Sequence, residues 1–246
     1  MKKHIPNLIT LLNLLCGTIA ILFVMSGDLV VASFLVLLCL FFDFFDGLAA
    51  RLLHVHSEVG LQLDSLADMV SFGVVPGLIM FQLLNKATEI QVLDTNFEAS
   101  ETISGFGPEM SWIPFIGLLI VLSSAYRLAK FNVDTRQTTS FIGLPTPANT
   151  LLIISLPLIF QFQYSPFLES IIFNQWFLIG LTIVSSLLLN AEIPLFALKF
   201  KTWDFASNKV RYVFLALCLI AIVVFKFIAI PLIILFYIML SLFTKE

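Results

Sequence analysis

Long apolar stretches run the length of the chain, separated by short polar or glycine- and proline-bearing segments. Several hold roughly 18 or more apolar residues, the length that crosses a bilayer as a helix. The pattern predicts eight helices, at about 5–25, 29–53, 59–84, 111–130, 146–163, 168–189, 209–225 and 228–243. The last two are read as separate spans. Joined, they would exceed 30 residues, and at about 1.5 Å per residue that overruns one bilayer crossing. Residues 85–110 lack periodicity and carry Glu89, Asp94, Glu98, Glu101 and Glu109, so they read as a surface loop. The connection "LLHVHSE" is short enough to make the second and third helices antiparallel neighbours.

Composition agrees with this pattern. Of 246 residues, 59% are hydrophobic and 12% charged, and the mean hydropathy is +1.03. A soluble domain of this size needs far more polar surface. The reading is therefore all-α, a polytopic helical bundle forming one integral-membrane domain over 1–246. The first apolar run is too long for the core of a secretory signal, and no small-x-small site follows it, so it is taken as a retained span. Cys16, Cys39 and Cys218 lie in apolar runs without metal-like spacing and read as reduced, small hydrophobes.

Charge placement gives an orientation. Lys2, Lys3, Arg51, Arg127, Lys130, Arg136, Lys199, Lys201, Lys209, Arg211 and Lys245 fall at one set of helix ends, and Lys86 and Lys226 at the other. The basic side is the cytoplasmic side. Both termini are then cytoplasmic, in a plasma (inner) membrane. Trp112, Trp176 and Trp203 fall near the expected interfaces, as belt residues do.

Against this background the stretch "DFFDGLAARLLHVHSEVGLQLDSLAD" stands out. Asp43 and Asp46 are three apart, Asp64 and Asp68 four apart, so each pair shares a helix face. An antiparallel hairpin can turn the two faces together near the inner interface. Four carboxylates there repel one another unless neutralised, and Arg51 is the one nearby base. Hard oxygen ligands of this kind suit Mg²⁺, Mn²⁺ or Ca²⁺. Two metals bridged by carboxylates form a common clamp for phosphate-ester chemistry. Gly47 and Gly60 leave room for a substrate to approach the backbone. The alternative is a cation path through the acids, which would make the chain a transporter. His54 and His56, in the adjacent turn, read as interfacial loop residues.

The stretch also fits D-x2-D-G-x2-A-R-x8-G-x3-D-x3-D in full, through Asp43, Asp46, Gly47, Ala50, Arg51, Gly60, Asp64 and Asp68. This resembles the signature of the CDP-alcohol phosphotransferases. The segments "IPNLITLLNLLCGTIAI", "YRLAKFNV", "FIGLPTPA" and, more loosely, "AEIPLFALKFK" resemble the phosphatidylserine synthase branch of that family. Lys130 and Tyr126 depart mildly from the branch, where arginine and phenylalanine are common. The resemblance implies the family's fold, with about eight transmembrane helices. It implies CDP-diacylglycerol and L-serine as substrates, phosphatidylserine and CMP as products, membrane lipids as surroundings, a homodimer, and no nucleic acid. It also implies that Asp43, Asp46, Asp64 and Asp68 bind divalent metal, Mg²⁺ or Mn²⁺ and two ions, with Asp68 as general base. Gly47, Ala50, Arg51 and Gly60 would shape the CDP-diacylglycerol site, with Asn7 and Thr10 contributing.

Serine carries a carboxylate, so a guanidinium is expected near it. Arg127 is the first candidate, followed by Lys130 and Arg136, with Asn132 able to orient the amino group. As plain membrane anchors, the same cations would instead snorkel to lipid phosphates. Pro145 and Pro147 in "GLPTP" should set a rigid helix entry. The nearest rival substrates for the same chemistry are glycerol 3-phosphate, inositol phosphate and choline.

Overall fold

The computed structural model describes residues 4–55, 57–95, 111–133, 141–195 and 209–243. They form helices α1 (His4–Met25), α2 (Leu29–Leu52), α3 (Glu58–Asp68), α4 (Val75–Thr95), α5 (Leu119–Val133), α6 (Thr146–Phe162), α7 (Pro166–Ile172), α8 (Gln175–Asn190), α9 (Lys209–Phe225) and α10 (Ala229–Phe243). A π-helical turn (Met69–Val74) joins α3 to α4, and 3-10 turns precede α5 and α10. Strands β1 (Phe141–Ile142) and β2 (Pro194–Leu195) pair antiparallel as a two-residue clip.

Five helical stretches among the described residues are long and apolar enough to cross a membrane. The bent pair α7–α8 makes a sixth if counted as one, and α6 is a shorter apolar helix. The stretch through α9 and α10 does not run straight. The Phe214 ring stacks on Phe236 with centroids 5.9 Å apart, whereas one continuous helix would separate them by about 33 Å. Lys226, at φ 50°, lies at the reversal.

Two expected boundaries are corrected. The third helix continues to Thr95, past the expected end at 84. Its polar residues bond along the helix: Asn85 Nδ2 donates to Glu89 Oε1 at 2.7 Å, and Thr88 Oγ1 to the Leu84 carbonyl at 2.8 Å. Meanwhile Leu84 and Ala87 are fully buried. The expected helix 168–189 is instead two helices at 58°. The break follows from capping. Ser165 accepts from Leu168 N at the start of α7, and Asn174 from Phe177 N at the start of α8, as capping side chains do.

The widening between α3 and α4 has a local cause. Pro76 has no N–H to give the Phe72 carbonyl, and its ring would clash there in a regular α-helix. The backbone takes a π turn instead, with Val75 N bonding to the Val70 carbonyl. The Thr150 hydroxyl of α6 lies 2.9 Å from the Phe72 carbonyl and 2.9 Å from the Thr146 carbonyl of its own helix, so its one proton is shared between them. Thr150→Val should lower stability by about 1 kcal/mol while Thr150→Ser holds it, measured by unfolding in detergent or lipid. Equal stability for the valine variant would mean that the carbonyl is satisfied otherwise.

The main core gathers α1, α2, the π turn, α4, α6 and α8. A smaller cluster of Leu144, Leu152, Leu195 and Ile234 joins the clip to α10. At Gly17 a Cβ would lie 2.5 Å from Ser71 Oγ, so glycine permits α1 to meet the π turn. At one end of the bundle, α1 packs against both α2 and α3, while the backbones of α2 and α3 hardly approach each other. The gap between them is the site.

Candidate active site

The C-terminal turns of α2 and the length of α3 bring the aspartates to this gap. Oxygens of Asp43, Asp64 and Asp68 lie within 4.8 Å of one another. Asp46, almost fully buried, accepts from Thr10 Oγ1 at 2.6 Å. It lines the same chamber as Asp64. Among the described residues the one ion pair is Lys130–Glu192, which includes none of the four aspartates. Asp64 Oδ1 is buried without a hydrogen-bond partner. Leaving a charged oxygen buried and unmatched is costly. A set of hard oxygen donors with an unclaimed lone pair fits a divalent cation.

Beside the carboxylates opens a chamber of about 580 Å³. Asn7, Thr10, Gly47, Ala50, Arg51 and Gly60, the residues expected at the nucleotide end, all line it. Arg51 Nε donates to the Gly47 carbonyl at 2.9 Å, which fixes the side chain along the wall. Ser57 caps α3 by accepting from Gly60 N. A Cβ at Gly60 would press on Ser57 Oγ at 2.8 Å and Asn7 Oδ1 at 3.1 Å, so this glycine serves the contact with α1 as much as the opening.

The residues expected at the acceptor are more scattered. Asn132 Nδ2 donates to Ser65 Oγ at 2.9 Å, which pins the end of α5 to α3 between Asp64 and Asp68. Arg127 is buried, with Nη2 3.5 Å from the Gly143 carbonyl and Nε without a partner. It does not line the chamber. Gly143, at φ 74°, is held where a Cβ would strike the carbonyls of Leu189 and Ala191. Lys130 pairs with Glu192 at 3.4 Å and does not line the chamber. Arg136 lies outside the described residues, as do His56 and Trp203.

One part of the site went unnoticed in the sequence. Asn13 is fully buried and donates from Nδ2 to Asp68 Oδ1 at 3.4 Å. Its signal was present, because Asn7, Thr10 and Asn13 recur every third residue and form one polar stripe on an apolar helix.

Residues 3–188 match the family model described as CDP-alcohol phosphatidyltransferase, and the chain belongs to that family. Its curated relatives include a CDP-diacylglycerol–serine O-phosphatidyltransferase of Bacillus subtilis, 31% identical over 173 residues. That match spans 69% of this chain and 81% of the relative. A protein of the same description from Helicobacter pylori is 35% identical over 151 residues, or 61% of this chain and 55% of that one. An archaetidylserine synthase of Methanothermobacter thermautotrophicus is 32% identical over 154 residues, covering 61% and 56%.

Proposed function

We propose that this chain transfers the phosphatidyl group of CDP-diacylglycerol to the hydroxyl of L-serine, releasing CMP. The observation that carries the reading is the meeting of the Asp43, Asp64 and Asp68 carboxylates at a chamber walled by the rest of the motif. The names of the relatives favour serine as acceptor.

The chamber holds the CDP end. Thr10 keeps Asp46 turned to the wall, and Gly47 and Ala50 leave space for the nucleotide beside Arg51. Asp43, Asp46, Asp64 and Asp68 would hold divalent metal. Bound there, two Mg²⁺ or Mn²⁺ ions would neutralise the pyrophosphate and stabilise charge growing on the departing CMP. Asp68 takes the proton of the serine hydroxyl as its oxygen bonds to the phosphorus bearing diacylglycerol. The bond from that phosphorus to the CMP oxygen breaks. A positioned base is needed because an alcohol is a poor nucleophile at neutral pH. Arg127 Nε, buried and unpartnered, is the donor assigned to the serine carboxylate, with Asn132 beside Ser65 at the acceptor end. The basic helix ends favour this half of the bundle as the cytoplasmic one, where serine and CMP would exchange with water while the acyl chains stay in lipid.

The test is an acceptor panel. Purified protein with CDP-diacylglycerol and Mg²⁺ or Mn²⁺ is offered serine, glycerol 3-phosphate, inositol phosphate and choline separately, and CMP and lipid product are measured. Serine alone should give product. Product with glycerol 3-phosphate and none with serine overturns the assignment. In the same assay Arg127→Ala should raise the serine KM roughly 10-fold or more with kcat less affected. An unchanged serine KM moves the carboxylate site elsewhere.

A further inference from the structure

The π turn places one more side chain against the site. Immediately after Asp68 the widened backbone carries Ser71 under α1, where Gly17 leaves room for it. Ser71 and Asn13 are both fully buried. Ser71 Oγ donates to Asn13 Oδ1 at 2.7 Å, and Asn13 Nδ2 donates to Asp68 Oδ1 at 3.4 Å. The directions of these bonds follow from chemistry. An ionised carboxylate only accepts, so the amide must turn its NH₂ toward Asp68. Its carbonyl oxygen then faces Ser71, which has a proton to give. The Asn13 backbone carbonyl accepts from Cys39 Sγ at 3.5 Å.

We propose that Asn13, oriented by Ser71, is a positioning residue that fixes the Asp68 carboxylate for proton abstraction. The proposal rests on the reading of Asp68 as the base. One oxygen of Asp68 is held by the amide. Asn13 touches neither nucleotide nor acceptor in this assignment, so its loss falls on turnover and not on substrate binding. The dependence extends outward. Pro76 forces the π turn, Thr150 stabilises it, and the turn sets where Ser71 meets Asn13.

The test uses the full chain in lipid with CDP-diacylglycerol, serine and Mg²⁺. Asn13→Leu keeps the branched shape and Asn13→Asp the size, and both remove the amide donor. Each should lower kcat roughly 10- to 100-fold, the range for a hydrogen bond to a charged group, leaving the CDP-diacylglycerol KM within about twofold. Ser71→Ala frees the amide to turn and should cost roughly 3- to 10-fold in kcat. Because Asn13 acts through Asp68, Asn13→Leu should cost nothing further in the Asp68→Asn background. A kcat near wild type for Asn13→Leu overturns the proposal. So does the same loss in the Asp68→Asn background, or a loss carried by KM and thermal stability together. If the Asn13 variants do not fold, the Ser71→Ala split between kcat and KM decides. The two readings fail separately: normal turnover by Asp68→Asn alone removes the base, whereas the Asn13 result with Asp68 intact judges the positioning.

Discussion

Asp68→Asn should lower turnover by roughly 10²- to 10⁴-fold, the usual contribution of a positioned general base, while the protein still binds CDP-diacylglycerol. The substitution keeps shape and removes the ability to take a proton. Asp68 belongs to the trio with Asp43 and Asp64, and Asn13 of α1 donates to it. It does not line the chamber wall that Asp46 and Asp64 share with the nucleotide-end residues. Its loss should therefore spare the lipid substrate. The measurement is CMP release at saturating Mg²⁺ beside direct binding of CDP-diacylglycerol. Saturating metal matters because Asp68 is also an expected ligand, and a deficit erased by more metal would identify it as a ligand only. Near-normal turnover would remove it as base.

Much of this site was legible because its chemistry is expensive in a membrane. Asp43, Asp46, Asp64 and Asp68 have no apolar reason to be where they are, so their three- and four-residue spacings carried the information directly. The wall residues of the same motif followed, and all meet at one chamber. The expectation that α2 and α3 pack as neighbours was the misleading part. Their side chains meet while their backbones stay apart, with α1 bridging them. A hairpin inferred from a short loop says nothing of a third helix wedged across it. Asn13 and Ser71 were hidden for another reason. An asparagine and a serine in apolar helices are common, and only the π turn, itself a consequence of Pro76, brings them together. The bend between α7 and α8 was readable from the caps Ser165 and Asn174, but the mostly apolar character of 168–189 masked it. Arg127 was picked out by its segment. The partner it has, the Gly143 carbonyl, depends on a clip between residues about fifty apart in the chain, which local pattern does not encode.

Asp64→Asn should separate stability from activity. In the metal-free protein, Asp43, Asp64 and Asp68 hold carboxylates within 4.8 Å of each other, and Asp64 Oδ1 is buried with nothing donating to it. Removing that charge relieves repulsion, so the variant should be more stable than wild type in chelator, by on the order of 1 kcal/mol. With Mg²⁺ or Mn²⁺ present the order should reverse, because wild type gains stability from binding that the variant has lost. Activity should follow the metal. The concentration needed for half-maximal turnover should rise by more than roughly 100-fold, beyond the effect of losing an outer partner of a metal ligand. Thermal unfolding in chelator and in metal, with turnover titrated against metal, reads both effects. The two signs together are the discriminating result. A purely structural aspartate would lose stability in both conditions, and a wild-type protein indifferent to chelator would remove metal from the site altogether. Crossing stability curves with a displaced metal titration would tie the unpartnered oxygen of Asp64 to a bound cation.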